Sequence, residues 1–404
     1  MSDIPVIRFL DRTTPPHIFT LVMLSGLSAL TMSVFLPSLN HMAEHFGVDY
    51  AVMQFAVSGY LLATAVLQMV IGPLSDRLGR RPVVIGALGV FVLATVGCVL
   101  APTAGVFLAF RMLQATVAVG IVLSRAIVRD MVPQDQAASM IGYVTMGMAL
   151  IPMVGPMVGG VLDEIFGWRA NFVLLAVLGL ATLALVMADQ GETIAGRGMG
   201  IAQQLRGYPD LMRSRRFWGY ALCAAFGSGA FFALLGGSSF VAGEVFHLSP
   251  VWTGLALGSP AVGYALGNFI SGRFVTRTGV NRMALMGTAV AATGLGLSLI
   301  LSLLGVVHPL VFFGFCTLLG LGNGMMLPAA TAGLLSVRPD LAGTASGLGG
   351  AIMIGGGAAM AALAGAMLTP ETGALPLQAI MFVTAAMAGV AILPVIRSER
   401  MAGG

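Results

Sequence analysis

The fold of this chain is decided by one stretch, Gly72-Pro73-Leu74-Ser75-Asp76-Arg77-Leu78-Gly79-Arg80-Arg81-Pro82. It joins two apolar runs, each long enough to cross a bilayer. Its two glycines permit a tight turn that other residues would strain, and Asp76 can pair with one of its three arginines.

A weaker copy of this charged turn follows two hundred positions later. Gly272, Arg277 and Gly279 repeat the spacing of Gly72, Arg77 and Gly79. Two charged turns in matching places predict a transporter built from two related halves.

Composition places the chain in a membrane. Of its 404 residues, 57% are hydrophobic and 9% are charged, whereas soluble domains carry about 25% charged residues. All twenty basic residues are arginines, and they are spread over short loops rather than gathered in one patch. We therefore expect a lipid bilayer as partner and no nucleic acid.

Twelve apolar runs are long enough to span the bilayer, which predicts an all-α integral membrane protein of two six-helix bundles. The runs are 17–39, 51–74, 82–101, 106–128, 137–162, 170–188, 217–241, 251–270, 284–304, 310–334, 342–368 and 377–396. A polar connection after the sixth run predicts an N-terminal bundle over 1–189, a cytoplasmic linker over 190–216 and a C-terminal bundle over 217–404.

Arginine sets the predicted orientation, because cytoplasmic loops are enriched in basic residues. With both termini cytoplasmic, eighteen of the twenty arginines fall on the inner side. Only Arg169 falls in an outer loop, and Arg111 lies within a run. The first run is too long for a signal peptide, so we read it as an uncleaved first helix.

The stretch from Gly72 to Pro82 resembles the signature loop of the major facilitator superfamily between its second and third helices. The fifth run adds a glycine-proline pattern, Gly147 followed by Gly155-Pro156-Met157-Val158-Gly159-Gly160, which resembles the motif of exporters in that superfamily. The resemblance implies that Gly72, Asp76, Arg77, Gly79, Arg80, Gly155, Pro156 and Gly159 act in conformational switching.

The chain is similar to one branch in particular, the bicyclomycin and chloramphenicol resistance type (Bcr/CflA) of drug:proton antiporters. Four stretches carry this similarity: Val34-Phe35-Leu36-Pro37, Arg129-Asp130, Arg216-Phe217-Trp218-Gly219-Tyr220 and Gly343-Thr344-Ala345-Ser346-Gly347. Arg111 and Gln114 resemble that branch's fourth-helix motif, in which the arginine is tied to proton handling. A structural arginine bound to backbone carbonyls is the alternative reading.

Ser33 stands where that branch usually has a helix-one aspartate. None of the sixteen carboxylates falls clearly at mid-membrane, so proton coupling is implied by the resemblance alone. An arginine inside the bilayer is costly unless it is paired or wet, so we expect Arg111 to face the central cavity. Its transport and coupling partners would be Gln114 and Ser33.

The resemblance implies a central cavity between the two halves. Its polar or aromatic candidates are Gln54, Tyr60, Phe231, Phe232, Tyr264, Asn268 and Asn323. No phosphate loop, zinc spacing or nucleophile elbow is present in the sequence. We therefore expect no enzyme activity, no cofactor and no bound metal.

The expected function is secondary active efflux of small, largely apolar, drug-like molecules across the bacterial inner membrane. The resemblance implies proton antiport, and we expect a monomer. One alternative is a metabolite facilitator or exchanger of the same fold. Another is a membrane receptor or structural protein without flux.

Ser33→Asp tests a charge hypothesis in which Arg111 has no acid to offset it. An uncompensated Arg111 would favour neutral or anionic substrates and reject lipophilic cations. Restoring the acid should move transport preference toward cations and increase its pH dependence, measured as efflux of cationic and neutral dyes. Robust ethidium efflux by the unaltered protein would contradict the hypothesis, as would unchanged selectivity in Ser33→Asp.

Overall fold

The computed structural model of the chain describes residues 7–131, 151, 154–193, 208–338 and 342–402. Its first half contains six helices. They are α1 (Ile18–Phe46), α2 (Tyr50–Leu78), α3 (Arg80–Leu100), α4 (Ala104–Leu113, Gln114–Ala118 and Val119–Met131), α5 (described over 154–166) and α6 (Arg169–Asp189).

The second half repeats this arrangement after a short helix, Tyr208–Met212. Its helices are α7 (Arg215–Val245), α8 (Pro250–Leu257 and Ser259–Thr278), α9 (Val280–Leu303), α10 (Pro309–Ser336), α11 (Ala342–Met367) and α12 (Leu375–Ala402). Ten helices of the described part are long and apolar enough to cross a membrane. The expected all-α class is confirmed, and most helix ends agree with the apolar runs to within a few residues.

Among the helices that extend well past their apolar runs are α1 and α8. The α1 helix continues from the predicted end at residue 39 to Phe46, and α8 continues from residue 270 to Thr278. Both extensions are rich in polar residues, such as His41 and Glu44 in the first and Arg273 in the second. Hydropathy identifies only the part of a helix that lies in lipid. Backbone hydrogen bonding is independent of side-chain polarity, so a helix can continue beyond the membrane into water.

The charged turn is tighter than the sequence predicted. The α2 helix ends at Leu78 and α3 begins at Arg80, so Gly79 alone connects them, with φ of 97°. Gly279 connects α8 to α9 in the same way, with φ of 80°. Gly72 and Gly272 lie inside helices, so the prediction that both glycines of each motif make the turn is wrong. A one-residue reversal requires positive φ at one position only.

Within each half, helices pack closely where small residues face a neighbour. The α10 helix lies against α8 and α9, and α7 lies against α11 and α12. A Cβ on Gly320 of α10 would collide with the backbone of Pro260 in α8, and one on Gly267 would collide with Leu321. Glycine permits the close approach that stabilises helix pairs in lipid.

Among the described helices, α2 and α11 make extensive contacts between the halves. We call the end of the molecule that carries the Gly79 and Gly279 turns the arginine-rich end, and the other the opposite end. The predicted linker falls largely outside the described residues, so the domain boundaries at 189 and 217 stay predictions.

Gly79→Ala should destabilise the protein by about 1–2 kcal/mol, because a Cβ is strained at positive φ. Gly72→Ala is the matched control, since Gly72 is helical and a Cβ there would meet no neighbouring side chain or helix within 4 Å. The measurement is the thermal unfolding midpoint of each purified variant. Equal midpoints for the two variants would show that the turn tolerates a side chain.

Candidate functional site

Arg111 is the largest fully buried side chain of the described residues, with 0% exposure. It lies in α4, and its guanidinium reaches two other helices. Nε donates to the Ala56 carbonyl of α2 at 3.1 Å, and Nη2 donates to the Thr31 carbonyl of α1 at 2.9 Å. One side chain therefore ties three helices together through neutral backbone oxygens.

Two aromatic rings flank the same guanidinium. The Arg111 Cζ atom lies 4.0 Å from the ring centroid of Tyr60 and 4.3 Å from that of Phe35. A desolvated cation–π contact contributes about 2 kcal/mol. These rings offset part of the cost of holding a charge away from water.

Gln114 extends the network to α3. Its Oε1 accepts from Arg111 Nη1 at 2.7 Å, while its Nε2 donates to Thr95 Oγ1 at 2.8 Å. At this point α4 changes to a 3₁₀ segment, Gln114–Ala118. Mid-helix 3₁₀ segments often mark hinges or strain.

The structure differs here from the expectation that Arg111 faces an open cavity. The described partners of Arg111 are carbonyl oxygens, an amide oxygen and two rings, and none is a carboxylate. Ser33 is buried, and its Oγ donates to the Ala29 carbonyl of its own helix at 3.2 Å. In this conformation Arg111 is satisfied by the protein, so a substrate can reach it only after rearrangement.

The glycine-proline pattern of α5 packs against two helices, α1 and α8. Gly155 lies against Ser33, and a Cβ on Gly159 would collide with the Val34 carbonyl oxygen of α1. On the other side, a Cβ on Gly160 would collide with the Pro250 carbonyl of α8. The pattern thus packs α5 on its own half and on the other half at once. Gly147 lies outside the described residues.

The two halves are closed together at the opposite end. Asn40 Nδ2 donates to the Ser239 carbonyl at 3.0 Å, and Ser239 Oγ donates back to the Leu36 carbonyl. Tyr50 Oη donates to the Gly236 carbonyl at 2.8 Å. We call residues 36–50 and 236–250 at this end the clamp.

Charged side chains at the arginine-rich end bind one another within the first half. The Arg80 guanidinium lies 2.5 Å from Asp76 and 3.0 Å from Asp130, which confirms that Asp76 pairs with an arginine of its own loop. Glu192 accepts from the backbone nitrogens of Arg80 and Arg81 at 2.9 and 3.2 Å. A carboxylate at this helix N-terminus is favourable because the helix dipole is positive there. Arg77 is exposed.

The cavity candidates have several kinds of partner. Gln54 is a contact between the halves, because its Nε2 donates to the Ala361 carbonyl of α11 at 2.6 Å. Asn323 donates to the Gly227 carbonyl of α7 at 3.1 Å. Both side chains are thus engaged in helix packing.

The remaining candidates lie in α2, α7 and α8. Tyr60 stacks on Arg111, and Phe231 and Phe232 lie with their ring centroids 6.0 Å apart. Asn268 donates to the Tyr264 carbonyl one turn earlier at 2.9 Å. Surface cavities of about 480 and 490 Å³ occur elsewhere, one beside Arg216 and Arg282 and one between α5 and α6.

Sequence reasoning missed two buried carboxylates. Asp189, at the end of α6, accepts from Leu10 N at 2.7 Å, His17 N at 2.8 Å and Thr20 Oγ1 at 2.6 Å, which anchors the N-terminal segment. Asp163, at the end of α5, lies beside His41. Both carboxylates directly follow apolar runs. A residue in that position can lie in an exposed loop or be buried, so the sequence pattern does not indicate burial.

Comparison with known proteins agrees with this architecture. Residues 21–362 match the family model of the Major Facilitator Superfamily. The chain belongs to this family of membrane transporters, which act on small molecules, and it is a multi-pass membrane protein.

Three bacterial relatives are each 30% identical to the chain. They are the uncharacterized MFS-type transporter YdgK of Bacillus subtilis (92% of this chain and 93% of the relative), a chloramphenicol resistance protein of Pseudomonas aeruginosa (81% and 79%) and multidrug resistance protein D of Escherichia coli (87% and 89%). These relatives support the bicyclomycin and chloramphenicol resistance branch.

The fold is similar to that of a solved structure, a bacterial homolog of the human lysosomal transporter Spinster in an inward-facing, unoccupied conformation. The TM-score is 0.70 at 17% identity, covering 93% of this chain and 94% of that one. The twelve-helix count expected from the sequence is consistent with this family.

Arg111→Ala should abolish transport and lower the unfolding midpoint, because it leaves buried acceptors unpaired at about 1–3 kcal/mol each. Arg111→Lys should weaken transport without abolishing it, since an ammonium keeps the charge but loses the planar fork. Arg397→Ala removes an exposed arginine and controls for loss of charge. Full transport by Arg111→Ala would contradict a role in the transport cycle.

Proposed function

We propose that the protein is a secondary active exporter of small, largely apolar, drug-like molecules, driven by proton antiport. The observation that carries the proposal is similarity over most of the chain to relatives named for resistance to chloramphenicol and to multiple drugs. The alternative, a metabolite facilitator or exchanger of the same fold, is distinguished by transport assays.

The distribution of arginine supports an orientation for the exporter. The turns at Gly79 and Gly279 share one end with Arg77, Arg80, Arg81 and Arg277. Because basic residues are retained on the cytoplasmic side, this end faces the cytoplasm and so do both termini. The protein then resides in the bacterial inner membrane and acts as a monomer, with the clamp on the outer side.

Contacts at the two ends support alternating access. The clamp holds the halves together outside, while the described charge pairs of the cytoplasmic loop join residues of one half. A substrate would thus enter from the cytoplasm in this conformation. Export requires the clamp to open and the cytoplasmic ends to approach each other, with Asp76 and Arg77 helping to hold them.

Chemistry of the interior supports apolar cargo. The side chains around Arg111 satisfy it with neutral groups, and Tyr60, Phe231 and Phe232 offer aromatic faces. Such faces bind flat apolar molecules without a demanding hydrogen-bond pattern. Proton coupling rests on the family, since Ser33 replaces the acid of helix one.

Expression in an efflux-deficient bacterium tests the proposal. We expect higher tolerance to a subset of antibiotics and lower accumulation of neutral dyes, with both effects lost on uncoupling the proton gradient. Arg111→Ala is the inactive control, and Arg397→Ala is the active one. If a broad panel shows no shift while proteoliposomes carry sugars or amino acids, the metabolite carrier is correct.

A further inference from the structure

A buried acid and a half-exposed histidine meet at the opposite end of the first half. Asp163 lies one turn after Gly159 in α5, and its side chain has 0% exposure. His41, in the polar extension of α1, places Nδ1 at 2.9 Å from Asp163 Oδ2, and its own side chain is 48% exposed. The histidine therefore connects a buried carboxyl to the aqueous side.

The Asp163 carboxyl is incompletely satisfied. Among the described residues no donor makes a hydrogen bond of good geometry to Oδ1 or to Oδ2, although His41 Nδ1 lies 2.9 Å from Oδ2. The carboxyl lies just beyond the predicted membrane run that ends at residue 162. Burial raises the pKa of Asp163 above its usual range, although His41 and the Ser38 hydroxyl act in the opposite direction. A buried carboxyl with a free oxygen is suited to holding a proton.

The same short segment of α1 forms part of the clamp. His41 follows Asn40, which donates to the Ser239 carbonyl of α7, and the Leu36 carbonyl accepts from Ser239 Oγ. Asn171 of α6 joins the two sides, because its Nδ2 donates to Ser38 Oγ at 2.9 Å and to the Gly159 carbonyl at 3.2 Å. A change at Asp163 thus acts on the segment that bonds to the other half.

The α5 side of the pair also touches the second half. Gly160 packs directly against the Pro250 backbone of α8, and Glu164 accepts from Ser249 Oγ at 3.2 Å. Asp163 therefore lies between two interhalf contacts, one through α1 and one through α5. Opening the clamp would separate these contacts and let water reach the carboxyl.

We propose that Asp163 and His41 form a proton-binding site on the clamp side, at which protonation favours closure of the opposite end. This inference rests on the proposed function for its biological meaning. It assigns the outer proton acceptor of the antiport cycle to the end of α5 instead of the helix-one position occupied by Ser33.

Proton transfer at this pair is chemically balanced. A hydronium ion on the aqueous side donates a proton to Nε2 of the His41 ring and becomes water, the ring gives its Nδ1 proton to Asp163 Oδ2, and no other bond changes. The carboxylate becomes a neutral acid, and the ring returns to its neutral form.

Asp163 is the buried carboxyl at the clamp, whose other acids and histidines are exposed: Glu44, His45, Asp49, Glu244 and His247. Glu164 is next to Asp163 on α5 and is exposed. Arg169 of α6 directs its guanidinium to the Val99 carbonyl and to His45 instead. From α8, the clamp presents the neutral Ser249 to Glu164. No charge from these elements ion-pairs with Asp163 apart from His41 in the described part of the chain.

The sign of the pH effect follows from linkage. Closure buries the carboxyl and raises its pKa, whereas the open end leaves it in water with the ordinary value of about 3.9. The closed end therefore binds the proton more tightly, and lowering the pH outside shifts the population toward closure. For an antiporter, an outside proton then returns the empty exporter to its cytoplasm-facing conformation.

Distance measurements between spin labels test this without any transport assay. Labels at Phe166→Cys and Leu304→Cys place one exposed site on each half at the opposite end, and the native cysteines are buried. In the otherwise unaltered protein, the closed population should grow as the pH falls. Glu164→Gln, the matched control beside Asp163, should keep this response.

Asp163→Asn should hold the closed population high at every pH, because the amide resembles the protonated acid. His41→Asn removes the imidazole that lowers the pKa of Asp163, so the midpoint of the pH response should move to higher pH. His41 is half-exposed, which keeps the test available if Asp163→Asn does not fold. A distance between the labels that does not change with pH in the parent protein overturns the inference. An unchanged pH response in Asp163→Asn overturns it as well. If Asp163→Asn does not fold, an unchanged pH response in His41→Asn has the same meaning.

The outcome is separable from that of the proposed function. A pH-dependent clamp without drug efflux supports the proton site and rejects the drug exporter. Drug efflux together with a clamp whose closed population does not depend on pH supports the drug exporter and rejects the proton site.

Discussion

A guanidinium in the middle of a bilayer must be satisfied by the protein, because hydrocarbon offers it neither charge nor hydrogen bonds. Arg111 meets this constraint with carbonyls from α1 and α2, the amide of Gln114 and two aromatic rings. The positions of α1, α2 and α4 thereby become linked to one side chain, and Gln114 adds α3 through Thr95. Any movement of α1 against α4 must exchange these bonds for others, which makes Arg111 a natural control point in a transport cycle.

Glycine makes the rest of the packing possible. The Arg111 network requires α1 to lie close to α4, and Gly120 permits that approach. Gly159 permits α5 to lie equally close to α1, because a Cβ on either glycine would collide with a carbonyl oxygen of α1. The α8 and α10 helices meet through Gly263 and Gly320 in the same manner. In lipid, where apolar contact alone gives little net gain, such backbone proximity supplies much of the attraction between helices.

The two ends of the molecule are stabilised by different chemistry. At the clamp, neutral donors such as Asn40 and Tyr50 bond to backbone carbonyls of the other half. At the arginine-rich end, ion pairs such as Arg80 with Asp76 and Asp130 organise one half by itself. Neutral hydrogen bonds contribute about 1 kcal/mol each, so the clamp can open at moderate cost. Asp163 is a buried titratable group beside the clamp, whose own acids and histidines are exposed.

The sequence by itself determined the all-α membrane class, nearly all the helix positions and the turns at Gly79 and Gly279. A lipid bilayer favours long apolar segments, and a backbone position with positive φ favours glycine. Both signals can be recognised within a short stretch of sequence. The sequence also identified Arg111 and Gln114 as a pair, since their spacing of three residues places them on one helix face.

Only the tertiary structure decided which groups contact Arg111 and Gln114, because Thr31, Ala56 and Thr95 come from three other helices. The same holds for Asp163 and His41, which lie 122 positions apart. Burial and partnership depend on how helices pack in three dimensions, and no local pattern records that arrangement.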